Sequence, residues 1–294
     1  MKIRKYGAID IGSNAVRLLA SNVIDYKGQV FFQKNTLVRV PIRLGQDAFT
    51  KGEISKKNIG RIIKSMKAFR LLMKVHGVED YLAFATSALR GAKNCSQVVE
   101  RVFNKSKIQI EIIDGKKEAK IISNTNVFEN IGIEKTFLCI DVGGGSTEIS
   151  ILKGGKRLNS NSFKIGTVRL LNKDFDQRIW NQLEIWVKKH TKIYSKIYLL
   201  GTGGNINKLH KISNVKDNRP ITFLTLNLIY NKLNELTYEE RIIDLGLNPD
   251  RSDVIIPATK LFLKIFEWSG AKVIYVPKVG LSDGMIRELY KNKN

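Results

Sequence analysis

The sequence predicts a mixed α/β protein in which one domain plan is written twice. Three observations predict it. First, Ile9-Asp10-Ile11-Gly12-Ser13-Asn14-Ala15-Val16-Arg17 and Ile140-Asp141-Val142-Gly143-Gly144-Gly145-Ser146-Thr147-Glu148 share an order: apolar strand, Asp at its end, glycine-led turn, second strand. The offset, 141 − 10 = 131, also maps Ile9 onto Ile140, Gly12 onto Gly143 and Leu18 onto Ile149, and it sets Arg17 opposite Glu148. Second, each copy opens with three strand-like runs and then alternates helices with strands, the pattern of an α/β domain. Third, the 294 residues lie at the upper limit of a single hydrophobic core, which favours two domains.

The elements follow in order. Lys5–Ile11 reads as an apolar strand, with Val16–Val23 and Val30–Val40 as antiparallel neighbours and Lys27-Gly28 in the second turn. Ser55–His76 has helical spacing: Ile59, Ile62, Ile63, Met66, Phe69 and Met73 share a face, and Gly77 stands where helices end. Lys67, Arg70 and Lys74 fall on its outer, solvated face. Tyr81–Ala85 is a strand, Ser87–Ala92 and Ser96–Phe103 are helices, Ile108–Ile113 is a strand, and a helix runs from about Lys116 to Val127. The plan then restarts with strands at Thr136–Asp141, Thr147–Leu152 and Arg157–Phe163 and turns at Gly143–Gly145 and Gly154-Gly155. A helix over Phe175–Tyr194 follows, then a strand at Ile197–Leu200, a glycine turn at Gly201–Gly204 and a helix. Further helices cover Asn227–Trp268, and a strand at Lys272–Val276 precedes a helix at Ser282–Tyr290. The expected domains are residues 1–124 and 125–294.

Composition bounds the chemistry. Fifty Lys+Arg against 27 Asp+Glu leave a formal charge of +23. Such a chain attracts polyanions: nucleic acid, an anionic membrane or polyphosphorylated small molecules. The same excess follows from an Ile-, Asn- and Lys-rich composition, so an anionic ligand and compositional drift both account for it. The longest uncharged apolar-rich run, Ile221–Tyr230, is too short to cross a bilayer, and no membrane partner is expected. Asp10 interrupts the apolar stretch after the basic MKIRKY start, so no targeting segment is expected. Cys95 and Cys139 form no CxxC pair, and His76, His190 and His210 are scattered. Disulfide scaffolds, zinc sites and Cys/His nucleophiles are therefore disfavoured, and a reduced, cytoplasmic setting is expected. Basic residues are spread along the chain without a nucleic-acid motif, so specific nucleic-acid binding is not expected.

The repeated motif has its own chemistry. A carboxylate at a strand end points into whatever lies above the sheet, and a glycine turn brings backbone N–H groups close to a ligand. Such N–H groups suit phosphate oxygens. An Asp beside phosphate repels it unless a hard cation intervenes, and Mg²⁺ is the usual one. Two such turns facing each other across a cleft would grip a phosphate chain from both sides; a plain tight hairpin is the other reading.

With Ala85-Thr86-Ser87-Ala88-Leu89-Arg90, the Gly-x-x-Glu-Ala element at Gly115–Ala119 and Gly201-Thr202-Gly203-Gly204-Asn205, these motifs come in the same order as in the exopolyphosphatase/guanosine pentaphosphate phosphatase (Ppx/GppA) family, which the whole chain resembles. The resemblance implies an actin-like, sugar-kinase-like duplicated ribonuclease-H fold with the active site between the domains. It implies Mg²⁺-dependent removal of terminal phosphate from inorganic polyphosphate or guanosine pentaphosphate (pppGpp), and it is compatible with a homodimer. Longer members add a C-terminal HD-type domain, and this chain is expected to be a short, two-domain form.

By the same resemblance Glu118 matches the catalytic carboxylate that activates or orients water; an ordinary helix N-terminal Glu is the plainer reading. Arg90 can fork onto phosphate, with Thr86 and Ser87 hydroxyls nearby; a surface arginine closing a helix turn is the other reading. Asp141 and Glu148 are the metal candidates, with Asp10 a third. Arg17 either meets phosphate or pairs with an acid. Ser13 and Asn14, with Gly143, Gly144, Gly145, Ser146 and Thr147, form the expected phosphate cradle. The Gly201–Asn205 loop either contacts a ligand or lets a helix pack closely. Lys117 stands where the family more often has an acid: it either lowers the Glu118 pKa or helps hold a polyanion. Two other functions stay open, an ATP-dependent kinase of the same superfamily and a non-catalytic polyphosphate or alarmone sensor.

Overall fold

A computed structural model of the chain describes residues 1–123, 125, 132, 134–172 and 175–293. The chain divides into two compact units, Met1–Thr125 with Gly280–Asn294, and Asn126–Val279. The first unit runs β1 (Lys2–Ile11), β2 (Val16–Tyr26), β3 (Gln29–Val40), α1 (Leu44–Thr50), α2 (Lys56–Val75), β4 (Asp80–Ala85), α3 (Ser87–Arg90), α4 (Cys95–Ser106), β5 (Glu111–Ile112) and α5 (Gly115–Ser123). The second runs β6 (Thr136–Val142), β7 (Thr147–Lys153), β8 (Lys156–Phe163), α6 (Arg178–Thr191), β9 (Tyr198–Thr202), α7 (Gly204–Ile212), β10 (Ile221–Thr222), α8 (Phe223–Glu235), α9 (Tyr238–Ile243), α10 (Pro249–Ser252), α11 (Ile255–Ser269) and β11 (Val273–Tyr275). The last helix, α12 (Leu281–Lys293), returns to the first unit.

The two sheets share a topology. The first is ordered β3-β2-β1-β4-β5 and the second β8-β7-β6-β9-β11, with β10 added beyond β11. In each, three antiparallel strands are followed by two that run parallel to the first. The repeat seen in sequence is therefore a repeat of pairing. Asp10 lies opposite Arg17 on β1–β2, and Asp141 lies opposite Glu148 on β6–β7, at the same place in the two hairpins.

Side-chain alternation gives each sheet two faces. On one face of the first sheet, Ile9, Ile11 and Leu18 pack against Ile62, Met66 and Phe69 of α2 and Val98 and Val102 of α4. On the other, Tyr6, Ala8 and Leu19 meet Ile121 and Ile122 of α5 and Leu281, Met285, Ile286 and Leu289 of α12. That second contact is why the observed division differs from the expected one. The expected boundary puts the last helix with residues 125–294, but its apolar stripe is buried in the first unit's core.

α2 forms where the spacing predicts it. Ser55 caps it by accepting from Asn58 N, and Gly77 beyond its end has φ +67°. Other elements differ from expectation. The Ile108–Ile113 strand shrinks to Glu111–Ile112, because only these residues reach the β4 ladder; Ile108 and Ile110 are buried in the core instead. α1 was not foreseen: seven residues after an Arg43 in the left-handed region carry too little periodicity to read. The helix expected at Phe175–Tyr194 spans Arg178–Thr191. The helix expected at Lys116–Val127 is seen over Gly115–Ser123, and the positions beyond lie largely outside the described residues.

α1 is tied to α2 by Asp47, a buried carboxylate that accepts from Ser55 N (3.0 Å), Ser55 Oγ (2.6 Å) and Asn58 Nδ2 (2.7 Å). Burial pushes the Asp47 pKa up, but these hydrogen bonds and the Lys51 charge outweigh it and hold the carboxyl below its ordinary value. Asp47→Ala is expected to cost about 2–3 kcal/mol at neutral pH, since charged hydrogen bonds are lost and buried donors stranded. Because the folded pKa is depressed, the contribution is complete above the unfolded carboxylate pKa of about 3.9 and is lost as pH falls through the folded value. Denaturant titrations of parent and variant should therefore converge in acid; a gap independent of pH would contradict the charge-based account.

Candidate active site

In the first unit, Ile11, Ala85 and Ile112 stand in one register row at the carboxyl ends of three parallel strands. Most of what is expected of this unit's site leaves from that row, the Gly12–Asn14 turn, Thr86 to Arg90, and Asp114 to Glu118, while Asp10 and Arg17 lie within β1 and β2. Carboxyl ends of parallel strands are where open α/β sheets bind ligands. The row is stitched beyond the sheet. Thr86 N donates to Ile11 O (3.2 Å), Ile113 N to Ala85 O (3.0 Å) and Arg90 Nη1 to Ile113 O (2.5 Å).

Glu118 is half-buried in the first turn of α5, three and four residues before Ile121 and Ile122. That spacing turns its side chain toward the sheet face that also carries Asp10 and Arg17. Asp114 starts the helix by accepting from Lys117 N (2.7 Å), and Arg90 holds the preceding carbonyl. Lys117 turns elsewhere: its Nζ pairs with Glu111 at 2.6 Å and lies 4.8 Å from the centre of the Phe84 ring. Asp10 and Arg17, cross-strand neighbours, form an ion pair at 2.6 Å. Of the two readings open for Arg17, pairing with an acid is thus seen. Asp10, the third metal candidate, is held by a guanidinium.

In the second unit the same register positions carry two carboxylates, Asp141 and Glu148. Directly opposed residues share a face with Cβ atoms ~4.5–5.5 Å apart. Each acid is braced from behind: Thr202 Oγ1 donates to Asp141 Oδ2 (2.9 Å), and Ser162 Oγ to Glu148 Oε1 (2.8 Å). The Gly201–Asn205 loop contributes here. Gly203 has φ +94°, and a Cβ on it would lie 2.8 Å from Asp141 Oδ1. Among the described residues no three His, Cys, Asp or Glu side chains gather into a metal-ligand cluster.

Both turns are built alike. Gly12 N donates to Ala15 O (3.1 Å) and Gly143 N to Ser146 O (3.0 Å), positions related by the offset of 131. The carbonyls are pinned from the segment after the third strand. Ser13 O and Asn14 O accept from Gly45 N (2.7 Å) and Arg43 N (2.9 Å). Gly143 O, Gly144 O and Gly145 O accept from Thr167 N (3.0 Å), Val168 N (2.8 Å) and Arg169 Nε (2.6 Å). In a planar trans peptide the next N–H points opposite the carbonyl. The N–H groups of Asn14 and Ala15, and of Gly144, Gly145 and Ser146, are therefore aimed away from their pins.

The expected cradle is corrected at one residue. Thr147 is completely buried and its Oγ1 donates to Ile165 O (2.6 Å), so it braces the turn and does not line it. Among the positive-φ glycines none lies in the Gly143–Gly145 turn. The need for small residues comes instead from Gly166, whose added Cβ would lie 2.6 Å from Gly144 C and Gly145 N. The pinning residues Arg43, Gly45, Thr167, Val168 and Arg169, the closely approaching Gly166 and the bracing Ser162 were missed by sequence reasoning, and Thr202 was read only as part of the Gly201–Asn205 loop. A glycine and an arginine just after the third strand of each repeat were the available signal.

A protein of Fusobacterium nucleatum named bifunctional 3-dehydroquinate synthase/phosphatase is 29% identical over 97% of this chain. The guanosine-5'-triphosphate,3'-diphosphate pyrophosphatase of Photobacterium profundum is 25% identical over 97%. Both are longer, and the chain spans 46% and 59% of their lengths. The crystal structure of an exopolyphosphatase from Cytophaga hutchinsonii superposes with a TM-score of 0.85 at 22% identity, covering 98% of each chain. The fold is thus the expected duplicated, actin-like ATPase type. With the Ppx/GppA phosphatase family profile matching residues 23–293, the chain belongs to that family.

Proposed function

We propose that this chain hydrolyses the terminal phosphoanhydride of inorganic polyphosphate or pppGpp, with Glu118 orienting the attacking water. The observation that carries the reading is the grouping of Glu118, Arg90, Thr86 and Ser87 at the carboxyl edge of β1, β4 and β5, in a chain of a phosphatase family. Phosphoryl transfer asks for positioning and charge neutralisation more than for covalent chemistry. Glu118 accepts a proton from the water as it attacks. Arg17 and Arg90 present guanidinium donors to phosphoryl oxygens, and Asp10 sets the Arg17 fork. The pinned Gly12–Asn14 turn offers N–H groups to further oxygens.

The donor set of Asp141 and Glu148 fits Mg²⁺: two hard carboxylates, each already hydrogen-bonded on one side, suit a cation that keeps several waters and takes its other ligands from phosphate. Bound there, Mg²⁺ would neutralise charge on phosphate oxygens. Similarity to proteins named for both substrates leaves polyphosphate and pppGpp together in the proposal.

The test is phosphate release by purified protein offered each substrate, with and without Mg²⁺. Release is expected without any added acceptor and is expected to stop on chelation and return with Mg²⁺. Consumption of a nucleoside triphosphate only in the presence of an acceptor alcohol would refute hydrolysis and indicate a kinase.

A further inference from the structure

The outer face of α2 has no part in that chemistry. The helix KKNIGRIIKSMKAFRLLMKV carries seven cations and no Asp or Glu, in a chain with 27 acids to 50 cations. Ile59, Ile62, Met66, Phe69 and Met73 are buried on one side. Lys56, Lys57, Lys64, Lys67 and Lys74 fall on the opposite side, all exposed. The two arginines are spent on structure: Arg61 donates to Ile42 O (3.1 Å) and Pro41 O (2.6 Å), and Arg70 to Ser106 O (3.4 Å). Among the described residues no carboxylate lies within ion-pair distance of the five lysines. On the neighbouring α4, exposed Arg101 and Lys105 outweigh Glu100.

We propose that this face is a docking track for the body of a long inorganic polyphosphate chain, outside the hydrolytic site; naming that polymer rests on the function proposed above. Three observations favour it. The first is shape. From Lys57 to Lys74 a straight helix extends about 26 Å. A linear polyanion can meet all of these charges, whereas a compact anion meets one or two. The second is chemistry. The exposed large apolar residues of α2 are Leu71 and Val75, at 66% and 83% exposure; no aromatic of α2 is exposed, and the single exposed aromatic of α4, Phe103, already has Lys107 over its ring, so the face lacks the row of stacking platforms that single-stranded nucleic acid would want. The third is continuity. The N-terminal end of α2 is tied through Asp47 to α1, where Gly45 N holds Ser13 O, and through Arg61 to the Pro41-Ile42 carbonyls beside Arg43, whose N–H holds Asn14 O. The track therefore begins on the scaffold of the first phosphate turn and leads away from it. Lysines on a rigid helix release counterions from a polyanion, and the binding should be salt-dependent.

The experiment compares three forms of the full-length chain. One carries Lys57→Gln, Lys64→Gln, Lys67→Gln and Lys74→Gln. A second carries Arg at the same four positions. A third loses the same charge elsewhere, through Lys189→Gln, Lys192→Gln, Lys232→Gln and Lys260→Gln. Binding of long-chain polyphosphate, tripolyphosphate, duplex DNA and anionic lipid vesicles is measured across a salt series. The first form should bind the long chain about tenfold more weakly, with a shallower salt slope and unchanged tripolyphosphate binding. The second and third should bind it as the parent does. Parent-like long-chain binding by the first form would overturn the proposal, as would an equal loss in the third. So would a loss confined to duplex DNA or anionic vesicles, which would assign the face to those partners. Because binding is read without turnover, a parent that releases no phosphate would refute the hydrolytic reading and leave this measurement decisive.

Discussion

Glu118→Gln is expected to bind substrate like the parent and to release phosphate roughly 10²–10⁴-fold more slowly, the usual worth of a positioned acid–base group. The change keeps the size of the side chain and its place in the first turn of α5. It removes the carboxylate charge and with it the ability to take a proton from water. The surroundings make the substitution a clean one. Asp114 caps the helix through Lys117 N, Arg90 pins the carbonyl of Ile113, and Ile121 and Ile122 anchor the following turn in the core. The variant should therefore fold as the parent does. Lys117 does not complicate the comparison, because its ammonium is engaged by Glu111 and lies over Phe84. Single-turnover phosphate release beside equilibrium binding separates the outcomes. Equal release by parent and variant would remove Glu118 from the mechanism. Unchanged biological effect with no turnover in either would favour a sensor.

The second large effect is expected from a residue that touches no substrate. Gly166→Ala places a methyl group 2.6 Å from Gly144 C and Gly145 N and 2.7 Å from Gly144 O. These are backbone atoms, and they cannot swing aside as a flexible side chain would. Either the Lys164–Arg169 segment lifts or the glycine turn moves. Overpacking of this kind costs roughly 1–3 kcal/mol. Both movements break the bonds from Thr167, Val168 and Arg169 that aim the turn's N–H groups. A lower melting temperature and a fall in kcat should appear together. Gly60→Ala is the control: nothing lies within 4 Å of its added Cβ, it sits inside α2, and alanine there should stabilise by about 0.5–1 kcal/mol. A Gly166→Ala protein that melts and turns over like the parent would show that close approach does not shape the turn.

The limits of sequence reading fall at identifiable residues. α2 was readable end to end because its cap, apolar stripe and terminating glycine all act within a few residues. The hairpins were readable for the same reason, and the 131-residue offset became a shared register, Asp10 with Arg17 and Asp141 with Glu148. The β5 strand was over-read because Ile108 and Ile110 look like strand residues by hydrophobicity, yet strand character needs a neighbour and β4 reaches only Glu111 and Ile112. Thr147 looked like part of the cradle because it follows the glycines, and only the bond to Ile165 O shows which way its hydroxyl turns. No helix among the described residues is long and apolar enough to cross a membrane, in line with the short apolar runs.

The sequence by itself determined the doubled α/β plan, the two carboxylate-tipped glycine turns and the helix that carries Glu118. Periodicity, capping and turn chemistry are local, and a few neighbouring residues suffice to express them. The tertiary structure alone decided that α12 belongs with the first sheet, that Arg17 pairs with Asp10 while Thr202 and Ser162 brace Asp141 and Glu148, and that Gly45 and Gly166 shape the turns. Those outcomes depend on which surfaces meet across long stretches of chain, where burial of a distant stripe or the approach of a second backbone settles what no local pattern encodes.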